Sequence, residues 1–453
     1  MATEIRRYVR SLGLDAYVVG GAVRDELLGI PHADEDFLVP GLDQAGLRAA
    51  LEPHGRVDDM EVHGQLVGVR FHPRDPAVRA EAPAGIELTP PRRERSVGPG
   101  HRDFEIVADP TVSIEDDMAR RDFTVNAMAK RLETDEFVDP FGGRVDLEQR
   151  LLRTVSAESF VEDPLRILRG LRLVSQLDFA LADETLDQMH AGAGGLRHVS
   201  AERIGGGQKA DGLGELSKLL LGRRPALALR LARDTGALVE VLPEYGPVIG
   251  YDLRTARQPL PLDEHLFAVV QAAADLEAPL AVRLSALLHD LGKPAADQTG
   301  GKHAGEAAEL TSRILRRLRY PNALREEVCR LVAGHDFLLD GPIDGVFARR
   351  FLAANGLELS RELVLHKRAD LAAKVVEAWE LEHLQQLADA LEAERDAPHR
   401  LADLAVDGDA LLAIGYTEGP ALGAALARLL DVVVDEPGAN DAGRLLELAA
   451  AWR

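Results

Sequence analysis

An apolar run ending in a double glycine, Tyr17-Val18-Val19-Gly20-Gly21, followed at once by Ala22-Val23-Arg24-Asp25, sets how the start of this chain can fold. The run reads as a buried strand, the glycines as a sharp corner and the residues after them as a helix. About ten residues on, Asp34 and Asp36 flank Glu35. On an extended strand, residues i and i+2 project from one face, so this carboxylate pair can grip one divalent ion or share two. A backbone without side chains lets a phosphate come close, and an arginine beside the corner adds charge to such a site. The two halves together point to metal-assisted nucleotidyl transfer, with Gly20, Gly21, Arg24 and Asp25 on the nucleotide side.

Length and composition set the frame for that reading. The 453 residues suffice for two to four domains, and 46% apolar with only 4% aromatic residues, rich in Ala, Leu and Arg, favours helices. One cysteine, Cys329, leaves no internal disulfide framework and fits a reducing compartment. The first residues lack an apolar signal-like region, and no apolar run reaches spanning length, so a soluble cytoplasmic protein is expected, with no membrane partner. A net charge of −22 argues against a surface that binds nucleic acid everywhere. Residues 150–235 carry 13 basic against 11 acidic side chains, whereas 361–453 carry 9 against 18, which places any polynucleotide along the middle segment. Solvated arginine-rich helix faces account for the same charge pattern equally well.

The fold class expected is α+β. Short β-like runs at 16–19, 66–71, 85–88 and 104–107 alternate with helical stretches, which makes 1–145 an α/β head. From about Leu147 the pattern is helical almost without break. A glycine-rich insert at 205–214 and prolines at 243–261 punctuate it, dividing the rest into 146–250, a His-rich helical block at 255–375, and an Ala/Leu helical tail at 376–453.

A site for phosphoryl-type transfer needs a further carboxylate beside Asp34 and Asp36, and Glu87 in Ile86-Glu87-Leu88-Thr89 is the best placed. Arg120, Arg121, Asp122 and Asn126 lead into an expected apolar helix and suit phosphates and a ribose; an N-capped surface helix is the plain alternative, with Asp122 as the cap. Glu162-Asp163-Pro164 opens a second helix in which Arg166, Arg169 and Arg172 stand three apart on one face. Asp163 and Arg166 can present an acceptor and a donor fork to a base edge, although a salt-bridged surface helix has the same spacing.

These stretches, with Asp139-Pro140-Phe141-Gly142-Gly143 between them, stand in the order found in class II tRNA nucleotidyltransferases, the family of the CCA-adding enzymes and bacterial poly(A) polymerases, and the resemblance covers about the first 235 residues. It implies Mg²⁺ at Asp34 and Asp36, nucleotide contacts from Gly21 and Arg24, and phosphate and ribose contacts from Arg121, Asp122 and Asn126. It further implies that Glu162, Asp163 and Arg166, assisted by Arg169, select CTP and then ATP in place of a nucleic-acid template. The partners implied are the tRNA 3′ end with its acceptor stem, CTP and ATP, and not DNA. Three departures stand out. Glu35 occupies a usually apolar position, which predicts a strand partly solvated on its rear face. The 90–102 stretch is longer than the family's flexible loop. The glycine-rich insert separates Ala201-Glu202-Arg203-Ile204 from Glu215-Leu216-Ser217-Lys218, which predicts a broken or bulged neck helix.

A second constellation begins with His289-Asp290 at the end of an apolar helix. His265 lies upstream, and His303, His335 and Asp370 lie downstream on other expected helices. Imidazole and carboxylate ligands gathered in this way suit Mn²⁺, Fe²⁺, Co²⁺, Ni²⁺ or Zn²⁺. The arrangement resembles an HD phosphohydrolase domain, in which His265, His289, Asp290 and Asp370 form the primary site and His303 and His335 hold a second ion or a substrate phosphate. The resemblance implies hydrolysis of phosphoesters on damaged RNA 3′ ends, 2′,3′-cyclic phosphates among them; a degenerate HD fold kept for structure is the alternative. The full reading is a CCA-adding enzyme with an HD domain. Its rivals are a poly(A) polymerase, an enzyme adding only CC or only A, a protein uridylyltransferase and an RNA-binding protein without catalysis.

Overall fold

Seven strands of the N-terminal region assemble around the short segment that starts at Asp36. The computed structural model describes residues 3–31, 35–62, 65–96, 104–206, 213–252, 254–299 and 303–453, and divides into two units, Met1–Pro243 and Glu244–Arg453. Asp34 and the 97–103 part of the long loop lie outside the described residues.

In the first unit the strands are β1 (Tyr17–Val19), β2 (Asp36–Leu38), β3 (Gly55–Val62), β4 (Gln65–Pro73), β5 (Ile86–Thr89), β6 (Arg92–Ser96), β7 (Phe104–Ala108), β8 (Ala129–Arg131) and β9 (Phe137–Val138). The main sheet runs β3-β4-β5-β2-β1-β8-β9, and β6 and β7 form a separate hairpin. β2 lies antiparallel to β1 and parallel to β5, which sets Asp36 opposite Val19 on one side and Glu87 on the other. Val18, Phe37, Leu38, Leu88, Val69 and Phe71 are fully buried, so the apolar period-2 pattern of these strands fixes the register.

Two expectations are corrected here. The rear of β2 is not solvated: Glu35 is buried, its Oε1 accepts from Arg6 Nε at 2.7 Å and its Oε2 from Thr3 Oγ1 at 2.8 Å. Arg6 rides on the helix Glu4–Ser11, whose N-cap Thr3 also accepts from the Arg6 amide at 3.1 Å. The residues after Asp122 do not form a helix. A helix precedes them (Ile114–Ala119), Thr124–Asn126 make one 3₁₀ turn, and the chain then enters β8. Phe123, Val125, Ala127, Met128 and Ala129 are all fully buried, so tertiary packing on both sides decides this segment.

Beyond residue 147 the unit is helical apart from two short parallel strands, Leu151–Leu152 and Ala180–Leu181. The helix Leu165–Leu177 buries Leu165, Ile167, Leu168, Leu171 and Val174. It comes so close at Gly170 that a Cβ there would meet Phe123 at 2.7 Å. The neck helix is broken at the insert. One helix ends at Ile204, another starts at Glu215, and a Gly206–Leu213 bridge pins the base of the excursion, with Ser217 Oγ donating to the Gly205 carbonyl at 2.6 Å.

The second unit is helical throughout its described residues. Leu262–Asp275, Leu280–Leu288, Asn322–Gly334 and Leu357–Ala372 surround one buried polar centre. A separate apolar cluster of Val406, Leu411, Leu429, Val433 and Leu445 supports the last three helices. Arg349 ties that part down: its Nε donates to the Val434 carbonyl at 2.6 Å, one of the end carbonyls a helix leaves unsatisfied. Tyr416 donates to the Ala449 carbonyl at 2.9 Å, which ties the turn before the helix Pro420–Asp435 to the last helix. Among the described residues no helix is long and apolar enough to cross a membrane.

Candidate functional site

Gly20 shapes the N-terminal cleft. Its φ of +70° turns the chain from β1 into the helix Gly21–Leu28, and its amide donates to the Met128 carbonyl at 3.1 Å. A Cβ here would lie 2.6 Å from Arg121 Nη1, so only glycine lets that guanidinium lie on the corner. Arg121 is held loosely, 3.4 Å from the Asn126 carbonyl and 3.4 Å from Asp117 Oδ2. Burial pulls its pKa below the ordinary arginine range, against the attraction of Asp117 and of the nearby Asp36 carboxylate.

From the corner, contacts run without a gap to the arginine-bearing helix. Arg24 Nη1 donates to Asn126 Oδ1 at 2.7 Å, and its Nε to Asp25 Oδ1 at 2.8 Å. Asn126 Nδ2 donates to Asp122 Oδ1 at 3.0 Å, which also accepts the Phe123 amide at 2.9 Å. Arg169 Nε stands 3.2 Å from Asp122 Oδ2, close enough for an ion pair but not aligned as a hydrogen bond. Burial alone would raise the Asp122 pKa; Arg169, Asn126, Arg166 and the Phe123 amide outweigh it and bring it down to about 2. Arg121 Nε, Asp122 Oδ2 and Arg169 Nε are buried and make no hydrogen bond, so three polar atoms along this path keep bonding capacity.

The remaining expected residues are placed as follows. Glu87 is the register neighbour of Asp36 and is half-exposed, with Arg70 Nη2 2.5 Å from its Oε1. Arg120 binds the fully buried Asp117, at 3.0 Å through Nε and 2.7 Å through Nη2. Arg166 is not an open donor fork. It is buried and donates to the Ser159 carbonyl and hydroxyl, to Glu162 Oε2 at 3.1 Å and to the Arg120 carbonyl at 2.7 Å. Asp163 caps the helix through the Leu165 amide at 3.1 Å and pairs with Arg203 at 3.1 Å. Arg172 turns away to Glu215 at 2.6 Å. Asp117 and Arg203 went unassigned in the sequence; Asp117, four residues before Arg121, carried a helical i, i+4 signal.

In the second unit His265, His289, Asp290, His335 and Asp370 converge, all at most 5% exposed. His265 Nε2 is 3.2 Å from Asp370 Oδ1 and 3.8 Å from Asp290 Oδ2, and His289 Nε2 is 3.2 Å from Asp290 Oδ2. His335 Nε2 approaches the other Asp290 oxygen at 3.7 Å. Ligand atoms of His265, His289 and Asp290 lie within 4.8 Å of one another, a spacing that one cation can bridge. Lys293 and Lys374 bond to Asp290 at 2.6 Å and Asp370 at 2.7 Å. Burial would raise both carboxyl pKa values, but histidines and lysines hold them well below the usual range, while burial pushes His289 down. Ionised carboxylates beside neutral imidazoles are the protonation states that bind a metal. His303 opens the helix His303–Arg317, and its side chain lies outside the described residues. His366 was missed; it stands one helical turn before Asp370, an i, i+4 signal present in the sequence, and packs against His289 and His335.

Comparison with known proteins follows this geometry. Residues 16–153 match the poly A polymerase head domain, 178–247 the probable RNA and SrmB-binding site of polymerase A, and 262–394 the HD domain. A multifunctional CCA protein of Ralstonia nicotianae is 38% identical over 338 residues, 71% of this chain and 72% of that protein. One from Vibrio parahaemolyticus is 35% identical over 323 residues, 69% and 73% of the two chains. The Bacillus stearothermophilus CCA-adding enzyme in complex with CTP superposes with a TM-score of 0.71 at 26% identity, over 99% of this chain and 95% of that one. The Thermotoga maritima CCA-adding enzyme complexed with tRNA shares the fold at a TM-score of 0.61 and 21% identity, over 99% and 94%. With an intact polymerase-type head and an HD domain behind it, the chain belongs to the class II tRNA nucleotidyltransferases, among the multifunctional CCA proteins.

Proposed function

We propose that this chain adds C, C and A to tRNA 3′ ends from CTP and ATP, with no nucleic-acid template, and that its HD centre hydrolyses phosphoesters at damaged RNA ends. The observation that supports the first part is the bonded chain Arg24–Asn126–Asp122–Arg169, which ties the glycine corner to the arginine-bearing helix, with Asp36 on β2 beside Val19 of the strand that leads into that corner. Asp34, Asp36 and Glu87 offer hard carboxylate oxygens and would hold Mg²⁺, which, when bound, neutralises charge on the triphosphate. The Gly20–Gly21 corner lets Arg121 lie against the backbone, and Arg24 and Arg121 are assigned as N–H donors to the phosphates. Asp122 and Asn126 fix those arginines and meet the ribose. Glu162, Asp163 and Arg166, with Arg169, set the shape and polarity that choose C and then A. Attack of the RNA 3′-hydroxyl on the α-phosphate of the bound nucleotide releases pyrophosphate, and Arg120 and Arg172 brace the walls through Asp117 and Glu215.

At the HD centre His265, His289, Asp290 and Asp370 would hold Mn²⁺, Fe²⁺, Co²⁺, Ni²⁺ or Zn²⁺, which supplies Lewis acidity toward a phosphoester when bound. The buried Nε2 atoms of His265 and His289 make no hydrogen bond, which fits a cation among them. Lys293 and Lys374 add positive charge for a phosphate, and the His303 imidazole, with His335, is assigned to the substrate side. A cytoplasmic site of action goes with this reading.

A terminal-addition assay on tRNA ending at the discriminator base, with each NTP alone and then CTP plus ATP, tests the nucleotide reading. CC from CTP alone and CCA from the mixture are expected. A long A tail would establish the poly(A) polymerase instead, and products stopping at CC or needing a preformed CC would establish a partial enzyme. Glu87→Gln is expected to lower incorporation about a hundredfold if Glu87 completes the carboxylate set.

A further inference from the structure

The histidines around Asp290 share one construction. His289 Nδ1 is 3.0 Å from the Ala286 carbonyl, and His335 Nδ1 is 2.7 Å from the Val332 carbonyl. A carbonyl only accepts, so Nδ1 carries the proton in both, and Nε2 is the nitrogen turned toward Asp290. Metal-binding imidazoles are usually fixed this way, by a partner on the ring nitrogen that faces outward.

His366 has a related setting, with a hydroxyl that can accept from Nδ1 or donate to it in place of the carbonyl. It is fully buried on the helix Leu357–Ala372, and its Nδ1 lies 3.0 Å from the equally buried Ser285 Oγ. Its Nε2 is buried and makes no hydrogen bond. The ring centroid is 5.0 Å from that of His289 and 5.7 Å from that of His335, and those two rings are 4.9 Å apart. The three imidazoles thus form a triangle, with Asp290 Oδ1 directed at the His335 corner at 3.7 Å. A packing histidine needs no such arrangement; an unsatisfied imidazole nitrogen buried beside carboxylates costs stability unless something occupies it.

We propose that His366 is an additional metal ligand of the HD centre, binding through Nε2 on the side of Asp290 that faces His335, with Ser285 Oγ accepting from Nδ1–H in the metal-bound form. The inference rests on the reading of this centre as a metal site, and the experiment separates the two. Full-length protein is stripped with a chelator and titrated with Co²⁺, reading metal content, affinity by chelator competition and the visible Co²⁺ absorption band. Wild type is expected to bind Co²⁺, and His366→Gln to bind it about tenfold or more weakly, with an altered band. If wild type takes up no Co²⁺, the metal-centre reading falls and this inference with it. If wild type binds and His366→Gln matches it in content, affinity and band, the role of His366 alone is overturned. A crystal of Co²⁺-loaded wild type decides without any variant, so misfolding of His366→Gln does not matter. An ion about 2.0–2.3 Å from His366 Nε2 supports the assignment, and an ion held by His265, His289, Asp290 and Asp370 with His366 out of bonding reach overturns it.

Discussion

In the N-terminal cleft the charged side chains are matched to one another: Arg24 to Asp25, Arg120 to Asp117, Arg169 to Asp122, Arg172 to Glu215. Around Asp290 and Asp370, nitrogens of His265, His289 and His366 with no hydrogen-bond partner converge from three helices, and two lysines balance the acids. The first arrangement suits a guest that comes and goes. Its side chains can trade partners for a triphosphate, and Arg169 is still about two-fifths exposed while Arg121 keeps only long bonds. The second suits a resident cation, because donors this deeply buried are stable only when something takes their lone pairs. One chain therefore carries two solutions to phosphate chemistry, distinguished by whether the partner of the charged groups is exchangeable or permanent.

The comparison breaks most readily if the two sites are not independent. Replacing Asp34 and Asp36 by alanine is expected to cut nucleotide incorporation at least about a thousandfold while leaving tRNA binding and HD metal content unchanged. Replacing His289 and Asp290 by alanine is expected to abolish metal uptake and phosphohydrolase activity with CCA addition within about twofold of wild type. A loss of both activities in either variant would end the picture of separate sites. A smaller effect sharpens it: Asp122→Asn keeps an acceptor for Asn126 but removes the charge facing Arg169. Loss of a charged partner is worth about 2 kcal/mol, so kcat/KM for nucleotide should fall roughly thirtyfold, with KM carrying most of it. The smallest expected effect is acid sensitivity. The Asp122 pKa of about 2 lies below the ordinary 3.8, so the unfolded chain binds the proton first as pH falls. The roughly 2 kcal/mol this contributes is complete above about pH 4 and is lost as pH drops through 2, so urea midpoints between pH 5 and pH 2 should fall less in Asp122→Asn than in wild type.

The glycine corner was legible because a strand, a positive-φ turn and a helix each leave a local mark, and Gly20 bears all three. Glu87 could be chosen from its strand alone, and the register then set it beside Asp36. The convergence of His265, His289 and Asp290 was readable because these residue types are rare in apolar helices. The segment after Asp122 was misread since its alternation, Phe123, Val125, Ala127, was there to be counted but every intervening residue is buried too. Arg166 looked like an open fork because spacing on a helix says nothing about which way a long side chain folds back. His366 hid in Leu365-His366-Lys367-Arg368, which reads as a charged surface stretch. Long-range pairs such as Arg6 with Glu35, twenty-nine positions apart, leave no local trace at all.

That last pair has a practical reach. Arg6 meets Glu35 and Glu26 together, so a terminal helix that looks peripheral neutralises the acid adjoining Asp36. A shortened protein beginning after Arg6 would take Arg6 and Thr3 away from a buried carboxylate at a cost of about 3–5 kcal/mol, and β2 would be the first place to feel it. Removal of the first helix thus reaches the strand that carries Asp36.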